Sequence, residues 1–344
     1  MGHEKIAVVA GGTAGVGRAV VDALITDGYR VGVIARGRNR LEELDRIHGD
    51  RVMTLSVDVG DASGMTRAAS AFEEGLGPIN VWINCAMLTA FSPFGEMAPD
   101  EFEKIVETTF MGVVNGTRAA LSSMKKRCEG RIVTVGSGLG YRSVPLQSAY
   151  CAAKHAINGF LSSVRSELMD EGADIAIGVV QLPAINTPQF DWAKNRLETK
   201  PQPAPPIYEP EVAARAVMKA VRDGNREILM GQSVLQLVFG NMVLPEAMDR
   251  VLASAGPTQQ KSDRIEPGNR PDNLQSPVDH IGSTARGSFD RRARDSAIMV
   301  DGDQARLGVF LGLPLLAFGL GIALGSVISK NRSAPRRPTL TSRR

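Results

Sequence analysis

Ile6-Ala7-Val8-Val9-Ala10-Gly11-Gly12-Thr13-Ala14-Gly15-Val16-Gly17 is the stretch that decides the fold. Its first five residues are apolar and read as a short strand. The glycines read as a turn, and a helical pattern begins near Arg18 with Val20, Val21, Leu24 and Ile25 on one side. Glycine lets a backbone come close to a phosphate, and a helix N-terminus offers free N–H groups at the positive end of its dipole. Strand, glycine turn and helix together make the context of a pyrophosphate-cradling loop, formed by Gly11, Thr13, Gly15, Val16 and Gly17. The same spacing also occurs at ordinary strand-to-helix turns. Position favours the first reading, because this is the first strand–helix unit of a chain that continues in the same pattern.

Working outward, a second strand over Arg30–Ala35 ends in Ala35-Arg36-Gly37-Arg38. An acidic residue there would accept hydrogen bonds from an adenosine ribose; Arg36 could instead pair with a 2′-phosphate. A solvated turn is the plainer reading of the same arginines. Val52–Val57 makes a third strand closing on Asp58, a candidate acceptor for an adenine amino group. Helix 62–76 leads to a fourth strand, Ile79–Ile83, which ends in Asn84-Cys85-Ala86. A long helix is expected over about Pro99–Arg127, then strand Arg131–Val135 and a loop carrying Ser137. Strand Ile175–Leu182 ends in Pro183-Ala184-Ile185-Asn186-Thr187, and helix Glu209–Arg222 precedes strand Glu227–Met230. Strands alternating with helices predict an α/β fold, a doubly wound parallel sheet with ligands at the carboxyl ends of its strands.

Between Ser137 and that strand runs Ser143-Val144-Pro145-Leu146-Gln147-Ser148-Ala149-Tyr150-Cys151-Ala152-Ala153-Lys154. Ala149–Leu161 lacks proline and reads as a helix, so Tyr150 and Lys154 fall one turn apart on one face. A phenol titrates near pH 10, and a fixed cation beside it lowers that value toward a usable acid or base. A surface tyrosine beside a surface lysine is the bland alternative, and a loop serine such as Ser137 is more often structural than not.

Taken in order, these elements resemble the classical short-chain dehydrogenases/reductases over roughly Lys5–Gly231. The resemblance is carried by Gly11-x-x-x-Gly15-x-Gly17, Asp58, Asn84-Cys85-Ala86, Ser137, Tyr150-x-x-x-Lys154 and Pro183 through Thr187. It implies a Rossmann-type domain that binds a nicotinamide dinucleotide and moves hydride between it and a ketone or secondary alcohol. By the same resemblance Tyr150 is the acid/base, Ser137 holds the reacting oxygen, and Lys154 tunes the tyrosine and binds the nicotinamide ribose. Asn84, Pro183 and Thr187 join the cofactor set, and Arg36 points to NADP(H). Two departures stand out. The loop after the fourth strand usually reads Asn-Asn-Ala-Gly, and here it is Asn84-Cys85-Ala86-Met87. The asparagine that the long helix commonly gives to the proton relay is replaced by Thr109, whose hydroxyl could bond water or a main-chain carbonyl.

Composition bounds the rest. Six of the last fifteen residues are Lys or Arg and none is acidic, which leaves the remainder of this +3 chain slightly acidic. Nothing in that balance suggests nucleic-acid binding. Cys85, Cys128 and Cys151 have no metal-ligand spacing and suit a reducing compartment. Met1–Lys5 is polar and does not read as a signal peptide, so the catalytic domain is expected in the cytoplasm. A proline-rich stretch, Pro201–Pro206, reads as a stiff lid or a plain surface loop. Ser233–Leu252 is apolar enough to cover the pocket or meet a second subunit, and a homo-oligomer is expected.

The domain boundaries expected from composition are 1–255 for the catalytic domain, 256–306 for a disordered linker, 307–329 for a membrane helix and 330–344 for a basic tail. The linker is rich in Pro, Gly, Ser, Asp and Arg, too polar to offset its ordering entropy. Leu307–Ser329 runs twenty-three residues without a charge and carries Gly308-x-x-x-Gly312 and Gly321-x-x-x-Gly325. A helix of that length spans a hydrocarbon core of about 30 Å. The sequence thus reads as a membrane-tethered, NADP(H)-dependent oxidoreductase acting on a small-molecule carbonyl or alcohol. A non-catalytic dinucleotide-binding regulator tethered to the membrane is the alternative.

Overall fold

A computed structural model describes residues 4–266, 270–278 and 280–312. The alternation expected from the sequence is present. In chain order come β1 (Lys5–Ala10), α1 (Gly15–Thr26), β2 (Tyr29–Ala35), α2 (Arg38–His48), β3 (Val52–Ser56), α3 (Ala62–Leu76) and β4 (Ile79–Asn84). Next are α4 (Pro99–Val106), α5 (Gly112–Met124), β5 (Glu129–Val135), α6 (Ser148–Asp170) and β6 (Asp174–Gln181). The series ends with α7 (Pro210–Asp223), β7 (Glu227–Met230), α8 (Gln232–Val243), α9 (Pro245–Gln260) and β8 (Met299–Asp301). The strands form an eight-stranded sheet in the order β8-β7-β6-β5-β4-β1-β2-β3. The pairings from β7 across to β3 are parallel.

Because side chains alternate across a strand, a sheet covered on both faces needs apolar residues at every position. β1 meets this with Ile6, Ala7, Val8, Val9 and Ala10, all fully buried. Ala7 and Val9 point to a core shared with α1 and α7, and Ile6 and Val8 to one shared with α3, α5 and α6. The strand order reverses between β1 and β4, so the crevice at their carboxyl ends is where a ligand enters.

The long helix does not run regularly from Pro99 to Arg127. Between α4 and α5, Glu107–Met111 forms a wider π-helical turn. Such a turn frees main-chain groups from the regular ladder and often marks a functional site.

The disordered linker expected over 256–306 is corrected for its described residues. α9 runs on to Gln260, and Lys261–Ile265 pairs antiparallel with Thr199–Pro201. Ala293–Arg294 lies beside Ile207–Tyr208, and β8 joins the edge of the main sheet. Composition undercounts this segment because its order comes mostly from hydrogen bonds to a body that is already folded. Its few apolar residues are well placed too: Leu274 and Val278 are buried, and the Phe289 ring packs edge-on against Phe190 at 5.7 Å.

The chain divides into two compact units, Met1–Val300 and Asp301–Arg344. In the second, Asp301 caps a short helix, Gly302–Leu307, by accepting from the Asp303 and Gln304 N–H groups, and a π-helical turn continues to Gly312. Among the described residues no helix is long and apolar enough to cross a membrane. Most of the expected membrane helix, residues 313–329, and the whole basic tail lie outside the described residues.

Candidate active site

The carboxyl ends of β1, β2, β4, β5 and β6 open into one cavity of about 710 Å³. At its first edge the glycine turn is held tightly. Gly11 adopts φ +89°, and a Cβ there would lie 2.5 Å from the Ala86 nitrogen. A Cβ on Gly17 would lie 2.0 Å from the Gly11 carbonyl oxygen, so α1 can sit this close to β1 only without one. Thr13, Gly15 and Val16 line the cavity. The Gly15 N–H donates to the Thr284 carbonyl at 2.9 Å, and the Ser283 hydroxyl donates to the Thr13 carbonyl at 2.9 Å.

Arg36 and Asp58 lie at the far end. The Arg36 guanidinium donates to the Asn273 and Leu274 carbonyls at 2.6 and 3.2 Å. Burial pulls its pKa down from the ordinary arginine value, against the opposing pull of Asp58. Asp58 accepts from the Gly60 N–H at 2.9 Å and from Lys104 at 3.1 Å. Burial would raise the carboxyl, but these hydrogen bonds and the nearby cations hold it below its ordinary value. Behind them the Arg40 guanidinium stacks over Trp192 at 4.7 Å.

At the opposite end α6 brings Tyr150 and Lys154 into the cavity with Ser137. The Lys154 ammonium donates to the Val135 carbonyl at 2.7 Å and lies 5.5 Å from the Tyr150 ring centre. Ser137 accepts from the Leu139 N–H at 3.1 Å, and its side chain lies near enough to the Tyr150 phenol to pull the phenol's pKa down. The expected lowering of the tyrosine pKa is corrected here. Burial pushes the phenol well above its ordinary value, and only Ser137 pulls against it. Burial therefore keeps the Tyr150 phenol protonated at neutral pH. Burial also brings Lys154 down to about 8, and raises the Cys85 thiol to about 12.

These shifts fix the sign of a pH effect on stability. Lys154 has its folded pKa below the ordinary 10.5, so above about pH 8 the unfolded chain binds more protons and stability rises. Cys85 and Tyr150, both raised, act in the opposite sense once pH passes their ordinary values of 9.0 and 10.0. A melting-temperature rise confined to about pH 8–9, and absent from Lys154→Met, is the expected result of thermal melts across that window.

Of the sequence-predicted residues, Gly11, Thr13, Gly15, Val16, Arg36, Asp58, Ser137, Tyr150, Lys154, Pro183 and Thr187 line this one cavity. Gly17 sits just behind it. Asn84 and Thr109 are placed differently from the expectation. The Asn84 side chain is buried in the body, accepting from the Trp82 indole at 2.9 Å and donating to Thr117 and Thr134, while Cys85, Ala86 and Met87 face the cavity. The Thr109 hydroxyl is spent on Leu88, donating to its carbonyl and accepting from its N–H, each at 3.0 Å. Thr109 thus locks the loop after β4 in place. Sequence reading did not single out Trp192, Gln147, Asn273 or Gln260 as lining residues. Trp192 is one of only two tryptophans in the chain, and it follows the Pro183–Thr187 loop closely.

The profile of the short chain dehydrogenase family matches residues 5–197. The chain belongs to this family. It is accordingly an oxidoreductase acting on carbonyl and CH–OH groups, with a fold that binds a nicotinamide dinucleotide. The chain is 27% identical over 254 residues to the uncharacterized oxidoreductase YxnA of Bacillus subtilis, covering 72% of this chain and 71% of the relative. It is 30% identical over 229 residues to the 3-dehydrosphinganine reductase of Danio rerio, covering 63% and 68%. Among solved structures it is similar to a short chain dehydrogenase from Burkholderia cenocepacia in complex with NADP. That likeness has a TM-score of 0.62 and 25% identity, over 73% of this chain and 98% of the other. The geometry of the cavity suits such a cofactor. It reaches from the Arg36–Asp58 pair past a glycine turn with no room for side chains to Tyr150 and Lys154.

Proposed function

We propose that the chain is an NADP(H)-dependent reductase of an apolar, lipid-like ketone, or catalyses the reverse oxidation of the matching secondary alcohol. The observation that carries this is the lining beyond Tyr150, where the cavity is walled by Leu139, Val144, Leu237, Met248, Val251 and Leu252. A wall of this kind rewards an alkyl chain and, with only uncharged polar neighbours such as Ser233, Gln236 and Gln260, carries no charge to pair with a charged substrate. A relative that is a 3-dehydrosphinganine reductase supports the same class.

In this reading the reduced nicotinamide, when bound, supplies the hydride to the carbonyl carbon. Tyr150 donates its phenolic proton to the carbonyl oxygen, and the Ser137 hydroxyl holds that oxygen by a hydrogen bond. Lys154, buried against the Val135 carbonyl, supplies a fixed positive charge below about pH 8 and a donor for the cofactor ribose. Gly11, Thr13, Gly15, Val16 and Thr187 would hold the pyrophosphate end, and Asp58 the adenine. Arg36, with no carboxylate at the end of β2 to repel it, would take the 2′-phosphate.

Arg36→Ala tests the cofactor choice. A charge-assisted pair contributes about 1.5–3 kcal/mol, so the variant should lose roughly ten- to a hundredfold in NADPH affinity and little in NADH affinity. Fluorescence titration with both cofactors reads this; equal wild-type dissociation constants would refute it. The function itself is tested by following NADPH oxidation against ketones of increasing chain length. The expected result is a kcat/KM that climbs with chain length. NADPH binding with no turnover across the panel would instead favour the non-catalytic regulator.

A place at the cytoplasmic face of a membrane belongs to the same proposal. Its support is the uncharged run Leu307–Ser329 and three free cysteines, which suit a reducing compartment. The exposed Met242, Val243 and Leu244 at the α8–α9 turn offer a contact for a second copy of the chain.

A further inference from the structure

We propose that Gln181 is a positioning residue for the reaction, the centre of a buried polar clasp that fixes Ser137 against Tyr150. The inference rests on the carbonyl-reductase reading of the site and extends it to residues outside the cavity.

Gln181 is the last residue of β6 and is fully buried. A glutamine side chain there has four hydrogen-bonding positions to satisfy and no water to help. Its Oε1 accepts from the Ser137 N–H at 2.9 Å. Its Nε2 donates to Asn158 Oδ1 at 2.9 Å and to Glu227 Oε1 at 3.1 Å. Each partner leads back to the same loop. Asn158 donates to the Gly140 carbonyl at 2.9 Å, and Glu227 accepts from the Tyr141 hydroxyl at 2.5 Å. The loop Ser137–Tyr141 is therefore gripped at its first residue by Gln181 and at its last two through Asn158 and Glu227.

The placement of Asn158 gives the clasp its functional content. Asn158 is two turns along α6 from Tyr150 and one turn from Lys154. The helix that carries the proton donor and the loop that carries Ser137 are thus held by one amide. Gly136 leaves room for this: a Cβ there would lie 2.5 Å from Gln181 Oε1. Backbone hydrogen bonds from Gly136 and Gly138 to Val180 and Leu182 hold the loop to β6, but they leave the Ser137 N–H to Gln181. Losing Gln181 strands that buried N–H, the Asn158 carbonyl oxygen and one Glu227 bond together.

A hydroxyl that must meet a developing oxyanion loses its effect when displaced by about 1 Å. Gln181→Leu, similar in volume, should lower kcat by about ten- to a hundredfold while leaving the NADPH dissociation constant within about twofold. The decisive comparison is with Ser137→Ala. If Gln181 acts through Ser137, the double variant is no slower than Ser137→Ala alone. Glu227→Gln, which keeps an acceptor for Tyr141 and Gln181, should restore most of the activity that Glu227→Leu loses. Asn158→Ala carries the same test on a partly exposed residue should Gln181→Leu fail to fold. Hydrogen exchange of the Gly136–Tyr141 segment reads the clasp without turnover, and should quicken in the Gln181 and Asn158 variants. A Gln181 effect that adds in full to Ser137→Ala, or a kcat loss matched by a loss of NADPH affinity, would overturn the proposal. A wild-type protein that turns over no ketone while the exchange result holds would overturn the functional reading instead.

Discussion

Tyr150→Phe should lower kcat for carbonyl reduction by about 10²–10⁴-fold, the usual worth of a positioned proton donor. The NADPH dissociation constant should stay within about twofold of wild type. The ring is retained, so the packing of Tyr150 against the cluster of Leu88, Ile105 and Ala149 is unchanged. What is lost is the only phenolic proton that the described residues bring to the end of the cavity holding Ser137 and Lys154. The raised pKa of Tyr150 makes the argument sharper than the sequence allowed. A phenol that burial keeps above its ordinary value is protonated at neutral pH, so the wild-type rate should not rise as pH falls below neutral on its account. Lys154→Ala should differ in kind: it removes a buried cation and the bond to Val135, and both kcat and cofactor affinity should fall. Steady-state kinetics beside a cofactor titration separates the two patterns. Substantial turnover in Tyr150→Phe would remove the tyrosine from the mechanism.

Much of this site could be read before any coordinates because its parts are local. The glycine turn, the end of each strand and the Tyr150–Lys154 turn are each set by a few neighbouring residues, and strand ends in a parallel sheet converge on one crevice. Asn84 shows the limit of that reading. Its position in the chain is right for the cavity, but the indole of Trp82 and the hydroxyls of Thr117 and Thr134 claim its side chain. Those partners lie up to 50 residues away, and no spacing rule reports them. Thr109 shows the same thing, with Leu88 taking both of its hydrogen-bonding roles. Gln181 and Glu227 were illegible for a different reason. Each is a polar residue at one end of an apolar strand, and its partners in loop 137–141 and on α6 lie far away in sequence.

The C-terminal segment was the larger misreading, and it sets the last prediction. Composition alone places the end of the enzyme near Gly256, and truncation there would then yield a soluble, active domain. The structure argues the reverse. Residues 270–278 and 280–300 touch the lining of the cavity at two points, the Asn273 and Leu274 carbonyls on Arg36 and Ser283 and Thr284 on the glycine turn, and the Gly287 N–H donates to the Asn186 carbonyl in the loop after β6. Leu274 and Val278 are buried, and uncovering each costs about 2 kcal/mol before any hydrogen bond is counted. Glu43 and Arg18 would lose Ser283, Asn186 would lose Asp290, and the ring of Phe190 would lose Phe289. A globular domain is stable by only about 5–15 kcal/mol, so losses of this kind are a large share of the whole. Truncation after Gly256 should therefore give a protein that melts far lower or fails to accumulate, with NADPH affinity reduced at least about tenfold in whatever folds. Truncation after Gly312 keeps every contact described here and should bind NADPH as the full chain does. Thermal melts and cofactor titration of the two shortened chains side by side check this. A Gly256 truncation as stable and as tight-binding as the Gly312 one would return residues 257–300 to the role of a passive linker.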